Sequence, residues 1–264
     1  MPTVHREGIS IYFEETGSGP AVVLGHSFLC SGEMWANQVG PLAERYRVIN
    51  IDQRGHGRSS PCATPFSLYD MVDDVAAVLD SLEIDRAVWA GLSIGGMVAM
   101  RAALVIPDRV RALIIVDSHA GSETTFKKLK YGAMNLGATV LGLRPFVPAV
   151  LPLMFGATTM KEQPELVRHW GDRFGDLHRP SVSATLQALV RRDSVAGKLA
   201  QITVSSLVLA GEEDRSLPPA LSKEIADGLV DAELLTIAEA GHLSALERPV
   251  EVTAAMLSFL DGLT

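Results

Sequence analysis

Short apolar runs alternate with stretches of helical spacing through the first 120 residues and again after residue 202. Ile9, Ile11 and Phe13 recur by twos, which predicts a strand of an antiparallel edge over 9–13. Residues 21–24, 47–51, 87–90, 112–116 and 206–210 are short, nearly continuous apolar runs, as expected of strands covered on both faces. Between the first of them, Trp35, Val39, Leu42 and Ala43 predict a helix over 34–46. Met71, Val72, Val75, Val78, Leu79 and Leu82 predict another over 69–82. A last strand is expected over 234–237, followed by a closing helix. Strand–helix alternation of this kind calls for a mainly parallel sheet with helices on both faces.

Residues 121–201 break the rhythm. They contain no convincing buried strand, only helical fragments punctuated by Pro145, Pro148, Pro152, Pro164 and Pro180, with an apolar first half that includes Met134, Leu141, Phe146, Leu153 and Phe155. Apolar short helices inserted after a sheet strand suggest a cap over a ligand cavity. The expected organisation is therefore a core of residues 1–120 and 202–264 and a helical cap of residues 121–201. A length of 264 residues accommodates one domain with such an insertion.

Composition narrows the partners. Hydrophobic residues make up 47% and charged residues 20%, enough for a large core and too apolar for a disordered chain. The net charge of −8 would be repelled by a phosphate backbone, so no nucleic-acid partner is expected. Only Cys30 and Cys62 occur, too few for a disulfide framework and without the spacing of a zinc site. The N-terminus lacks the apolar core of a signal peptide. The most apolar window, 87–106, is interrupted by Gly91, Ser93, Gly95, Gly96 and Arg101. A cytoplasmic protein without a membrane partner is the expectation; oligomeric state is not legible.

The chemistry concentrates at strand ends. Gly91-Leu92-Ser93-Ile94-Gly95-Gly96 follows one predicted strand and opens a helix, the context of a G-x-S-x-G nucleophile elbow. A serine hydroxyl is a weak nucleophile at neutral pH and needs a base, which in turn needs an orienting acid. His242, in the loop after the 234–237 strand, is the best-placed base. Asp214 and Asp117 both follow strands and both satisfy the order nucleophile, acid, histidine. Asp214 is favoured because its loop precedes a helix and is free to bend toward His242. His56, in the turn Arg54–Ser59, reads as structural, while His26 and His119 at strand ends read as pocket lining.

With these segments in place the chain resembles the α/β-hydrolases of the carboxylesterase and 3-oxoadipate enol-lactonase branch. The resemblance rests on Gly25-His26-Ser27-Phe28, Met34-Trp35, Asp52-Gln53-Arg54-Gly55-His56-Gly57-Arg58-Ser59, Gly91–Gly96, Gly211–Asp214 and Gly241-His242. It implies the α/β-hydrolase fold with a helical cap inserted after strand 6. It implies catalytic Ser93, Asp214 and His242, and an oxyanion hole from the amides of Ile94 and Phe28. Ser27 departs from the common His-Gly pattern and leans toward the lactonases. His26, Ser27, Leu29, His119 and Leu243 are expected around the substrate. The activity implied is hydrolysis of small to medium acyl esters, with no metal or organic cofactor. Enol-lactone hydrolysis is the first alternative, with Arg144, Arg179, Arg191 or Arg192 as a cation for an anionic lactone. Carbon–carbon bond hydrolysis and a receptor without turnover are the remaining alternatives.

Overall fold

The computed structural model describes residues 2–263. Eight strands form one sheet: β1 (Thr3–Arg6), β2 (Ile9–Thr16), β3 (Ala21–Gly25), β4 (Arg47–Asp52), β5 (Ala87–Leu92), β6 (Val110–Val116), β7 (Ser206–Gly211) and β8 (Ala232–Ile237), in the order β1-β2-β4-β3-β5-β6-β7-β8. β1 pairs antiparallel with β2 and β2 with β4, while every pair from β4 to β8 is parallel. The parallel strands therefore all end at one edge, and the predicted strand-end residues gather there.

The helices are α1 (Ala36–Ala43), α2 (Leu68–Ser81), α3 (Ile94–Val105), α4 (Thr125–Leu141), α5 (Val147–Met154), α6 (Ala157–Glu162), α7 (Pro164–Gly175), α8 (Arg179–Arg191), α9 (Pro219–Gly228), α10 (Ser244–Glu247) and α11 (Pro249–Asp261). One apolar cluster joins the sheet to α2, α3 and α9 through Met71, Val75, Met97 and Ile225. The other joins its opposite face to α1 and α11 through Leu42, Val252 and Met256. This is the doubly covered, mainly parallel sheet that the alternation predicts. Helices α4 to α8 lie between β6 and β7 in sequence, with no strand among them.

Two local differences from the sequence reading have physical causes. Strand β1 was not anticipated: four residues with alternating exposure carry too little pattern. The turn that pairs it with β2 places both Glu7 and Gly8 at positive φ (51° and 79°). The helix expected over 34–46 is split, because Gly32–Trp35 forms a 3₁₀ turn that buries Met34 and Trp35 before α1 begins. In contrast, α2 starts close to its predicted position, held by a capping box in which Ser67 and Asp70 bond each other's backbone N–H. No helix among the described residues is long and apolar enough to cross a membrane.

Candidate active site

The Ser93 turn is built by glycines where a side chain has no room. A Cβ on Gly91 would stand 2.2 Å from the carbonyl carbon of Gly95, and one on Gly95 would stand 2.3 Å from the carbonyl oxygen of Gly25. With β3, β5 and α3 this close, Ser93 is held at φ 56°, ψ −113°, a strained backbone that lifts its side chain off the strand end. Its N–H donates to Val116 O (2.8 Å) and its carbonyl accepts from Ser118 Oγ (2.8 Å), locking the turn to β6.

His242 and Asp214 are joined. Nδ1 of His242 lies 2.7 Å from Oδ2 of Asp214, and both residues are buried. The other carboxylate oxygen of Asp214 accepts from the N–H groups of Ser216 and Leu217 (2.8 and 2.9 Å), so the acid is fixed before it orients the ring. Burial pulls the His242 pKa down, but the charge and hydrogen bond of Asp214, aided by Asp117 and Glu247, leave it above the ordinary imidazole value. Ser93 and His242 line the same cavity of about 150 Å³. No hydrogen bond joins their side chains in this structure.

The rival acid has a different task. Asp117 accepts from Gly211 N (2.6 Å), Ser244 Oγ (2.5 Å) and Ser244 N, and so ties the ends of β6 and β7 to the segment that follows His242. Burial, and then the charge of Asp214, push its carboxyl well above the usual range. Two adjacent carboxylates of like charge are costly to bury, which favours one proton on Asp117 while Asp214 faces the histidine.

Glu247 was missed in the sequence. One oxygen of this buried side chain accepts from Gly241 N and Leu243 N, the other from Gly156 N. It fastens the His242 loop to the segment between α5 and α6. The available signal was a carboxylate on the apolar face of a short helix five residues beyond the histidine.

The loop after β3 carries Phe28 beside the same cavity, with Ser27 and Leu29 also on its wall. Leu29 has φ 67°, a strained conformation that turns the chain sharply here. The N–H groups of Phe28 and Ile94 enter none of the backbone hydrogen bonds among the described residues, so both are available as donors. Much of the Asp52–Ser59 segment supports this loop. Gln53 donates its N–H to His26 Nε2 (2.9 Å) and its side-chain amide to His26 O (2.6 Å), and Asp52 accepts from Gly32 N (2.7 Å). Arg54 is held by both oxygens of buried Asp74. His56, whose ring Nδ1 meets Arg54 O (3.1 Å), is pushed down to about 3 by burial and does not line the cavity.

Three residues expected around the substrate lie elsewhere. His26 is fully buried, with both ring nitrogens bonded to backbone groups of Ser27 and Gln53. His119 is engaged by Arg192 (3.1 Å) behind the cavity wall. Leu243 is buried beneath the histidine loop, its N–H donated to Met154 O and Glu247. A strand-end position brings a residue to the right edge, but not its side chain to the cavity side of that edge. Of the arginines considered for an anionic lactone, Arg144 pairs with Asp176 on the surface, and Arg192 alone lines the cavity.

Most of the remaining wall is apolar and comes mainly from α4, α5 and α8, including Met134, Val150, Leu153 and Leu186. A second chamber of about 80 Å³ shares Phe28, Leu29, Met134, Val150 and Leu186 with the first, extending the apolar surface between α4, α5 and α8.

Residues 21–256 match the alpha/beta hydrolase family. The pimeloyl-[acyl-carrier protein] methyl ester esterase of Stenotrophomonas maltophilia (strain R551-3) is 31% identical, with 96% of this chain and 98% of the relative covered. A thermophilic esterase from Thermogutta terrifontis, solved with malate bound, superposes with a TM-score of 0.93 at 28% identity, covering 99% of this chain and 97% of the other. The enol-lactonase from Burkholderia xenovorans LB400 superposes with a TM-score of 0.92 at 27% identity, covering 98% and 100%.

Proposed function

The chain belongs to the alpha/beta hydrolase family, and from that premise we propose that it is a serine hydrolase of carboxylic esters with small to medium acyl groups. The observation that carries the reading is the 2.7 Å His242–Asp214 contact on the cavity that Ser93 also lines. Esterases and an enol-lactonase among its relatives support cleavage of an ester bond.

In this reading Ser93 Oγ attacks the substrate carbonyl carbon and His242 Nε2 takes the hydroxyl proton, through a hydrogen bond that forms as substrate seats. Asp214 keeps the proton of Nδ1 facing itself and stabilises the imidazolium. The amides of Ile94 and Phe28 receive the oxyanion, each donor worth on the order of 10²–10³ in rate. The tetrahedral intermediate collapses, the ester C–O bond breaks, and the alkoxide leaves with the proton held by His242. Water then attacks the acyl-enzyme, giving its proton to His242, and the free acid departs as Ser93 recovers its hydroxyl. Residues 121–201 act as a cap whose α4, α5 and α8 shape the acyl site, and the two small, mostly apolar chambers favour modest chains.

Ser93→Ala should reduce kcat for a p-nitrophenyl ester by at least about 10⁴-fold while the protein stays folded. Wild-type turnover in that variant would remove Ser93 as nucleophile. A second reading, lactone hydrolysis, is favoured by the likeness to the Burkholderia enol-lactonase, and a lactone needs the same groups. Comparing p-nitrophenyl esters with small lactones on one enzyme preparation ranks the two.

A further inference from the structure

The cavity is apolar apart from its edge at Ser93 and His242, the Tyr131 hydroxyl and one buried group of charges. Glu123, in the loop between β6 and α4, and Arg192, the residue just after α8, pair at 3.0 Å with side chains only 9% and 1% exposed, and both line the cavity. Arg192 is almost fully committed. Its guanidinium donates to Gly121 O (2.9 Å), Leu189 O (2.7 Å), His119 Nδ1 (3.1 Å) and Glu123 Oε1. His119 is pushed down to about 4, by burial and then by the Arg192 charge, so it adds no charge of its own. The cluster is neutral as a whole, and its cation is spent on acceptors within the protein.

Glu123 is only half committed. Oε1 accepts from Arg192, whereas Oε2 accepts no hydrogen bond among the described residues, on a side chain that forms part of the wall. Nearby on the same wall, Tyr131 has its hydroxyl held in the protonated form by burial and by the negative charge of Glu123. A carboxylate oxygen in an apolar cavity is an acceptor that gains strongly from an N–H or O–H donor and repels a second carboxylate.

Resting on the ester-hydrolase reading, we propose that Glu123, anchored by Arg192, is a specificity subsite that accepts a hydrogen bond from a neutral amide or hydroxyl group on the substrate and rejects substrates bearing a carboxylate. The substrate class is then a neutral ester or lactone with a polar donor in its acyl part. An anionic substrate would have to displace Glu123 from Arg192 and leave that carboxylate buried without its partner.

The test titrates Ser93→Ala protein by calorimetry with three p-nitrophenyl esters of one acyl length, ending in an acetamido group, a methyl group or a carboxylate. The acetamido ester should bind at least about tenfold more tightly than the carboxylate ester. Equal affinities, or tighter binding of the carboxylate, overturn the subsite. Adding Glu123→Gln should lower the acetamido-to-carboxylate ratio by about tenfold or more. The Gln carbonyl is taken by Arg192, so its NH₂ faces the cavity and donates instead of accepting. An unchanged ratio also overturns the proposal. Each ratio is read within one preparation and does not depend on the fraction folded. If Glu123→Gln does not fold, the three esters on the parent protein still decide. If Ser93→Ala still turns over ester, the nucleophile assignment fails, while the same ratio, read as kcat/KM, continues to judge Glu123.

Discussion

Helices α3 and α4 are both rich in apolar residues, yet the protein uses them in opposite ways. In α3, every residue from Ile94 to Ala103 is buried, packed against β5, β6 and α2. In α4 no residue is fully buried, and Phe126, Leu129, Leu136 and Val140 are 69–77% exposed. One helix carries Ser93, the proposed nucleophile, at its N-terminus and is buried along most of its length. The other contributes only an inner face, with Tyr131 and Met134, to the cavity wall. Chemistry requires atoms held within fractions of an ångström, whereas a wall has only to exclude water and set a shape. Dense packing therefore marks where the reaction geometry is stored, and loose packing where substrate preference can change at little cost to folding.

That contrast can be broken by substitution. The largest effect is expected within the clamped region: Asp214→Asn should lower kcat/KM for a p-nitrophenyl ester about 10⁴-fold by releasing the His242 tautomer. Asp117→Asn should cost at least a hundredfold less than that. Comparable losses in steady-state assays would mean that Asp117 shares the orienting role. Stability follows the same division. Met100→Ala, fully buried in α3, should cost about 2–5 kcal/mol in urea unfolding, whereas Leu136→Ala in α4 should stay within about 0.5 kcal/mol. Gly95→Ala should destabilise by roughly 3 kcal/mol or more, since its Cβ would meet backbone. Gly132→Ala, with nothing within 4 Å of the added atom, should stabilise α4 by about 0.5–1 kcal/mol.

The smallest effect is a displaced titration. In the proposed mechanism His242 accepts the Ser93 proton only when neutral, and its pKa is raised, so the acid limb of kcat/KM should lie above about 6.5. In Asp214→Asn the residual activity should show that limb at lower pH, because the charge holding it up is gone. The linked stability runs the other way. A raised folded pKa means the His242–Asp214 interaction stabilises fully below about 6.5 and loses that contribution as pH rises through the folded value. Activity and this part of the stability should therefore move in opposite directions with pH, as rate profiles and urea unfolding measured across the same range would reveal.

Much of this was readable along the chain. Continuous apolar runs located β3 to β7, because strands buried on both faces have no polar face to obscure them, whereas β8 lies half exposed at the edge of the sheet. The elbow around Ser93 was readable because its glycines answer a local steric demand between close neighbours. Asp214 against Asp117 was harder: both follow strands, and only the turn at Ser216 and Leu217 and the bonds of Asp117 to Gly211 and Ser244 separate the acid that meets His242 from the one that does not. Strand β1 was invisible because four half-exposed residues pair only with what comes later in the chain.

The sequence by itself determined the β/α order, the carboxyl edge at which the chemistry assembles, and the residue types a serine nucleophile requires. These follow from periodicity and steric rules that act over a few residues. Only the tertiary structure decided which carboxylate meets His242, that Glu247 ties the histidine loop to the helices after β6, and that Arg192 is neutralised by Glu123 rather than free for an anion. Each of those pairings joins groups separated by tens of residues. Each is selected by the cost of burying an unpaired charge, which exists only once the chain has closed around it.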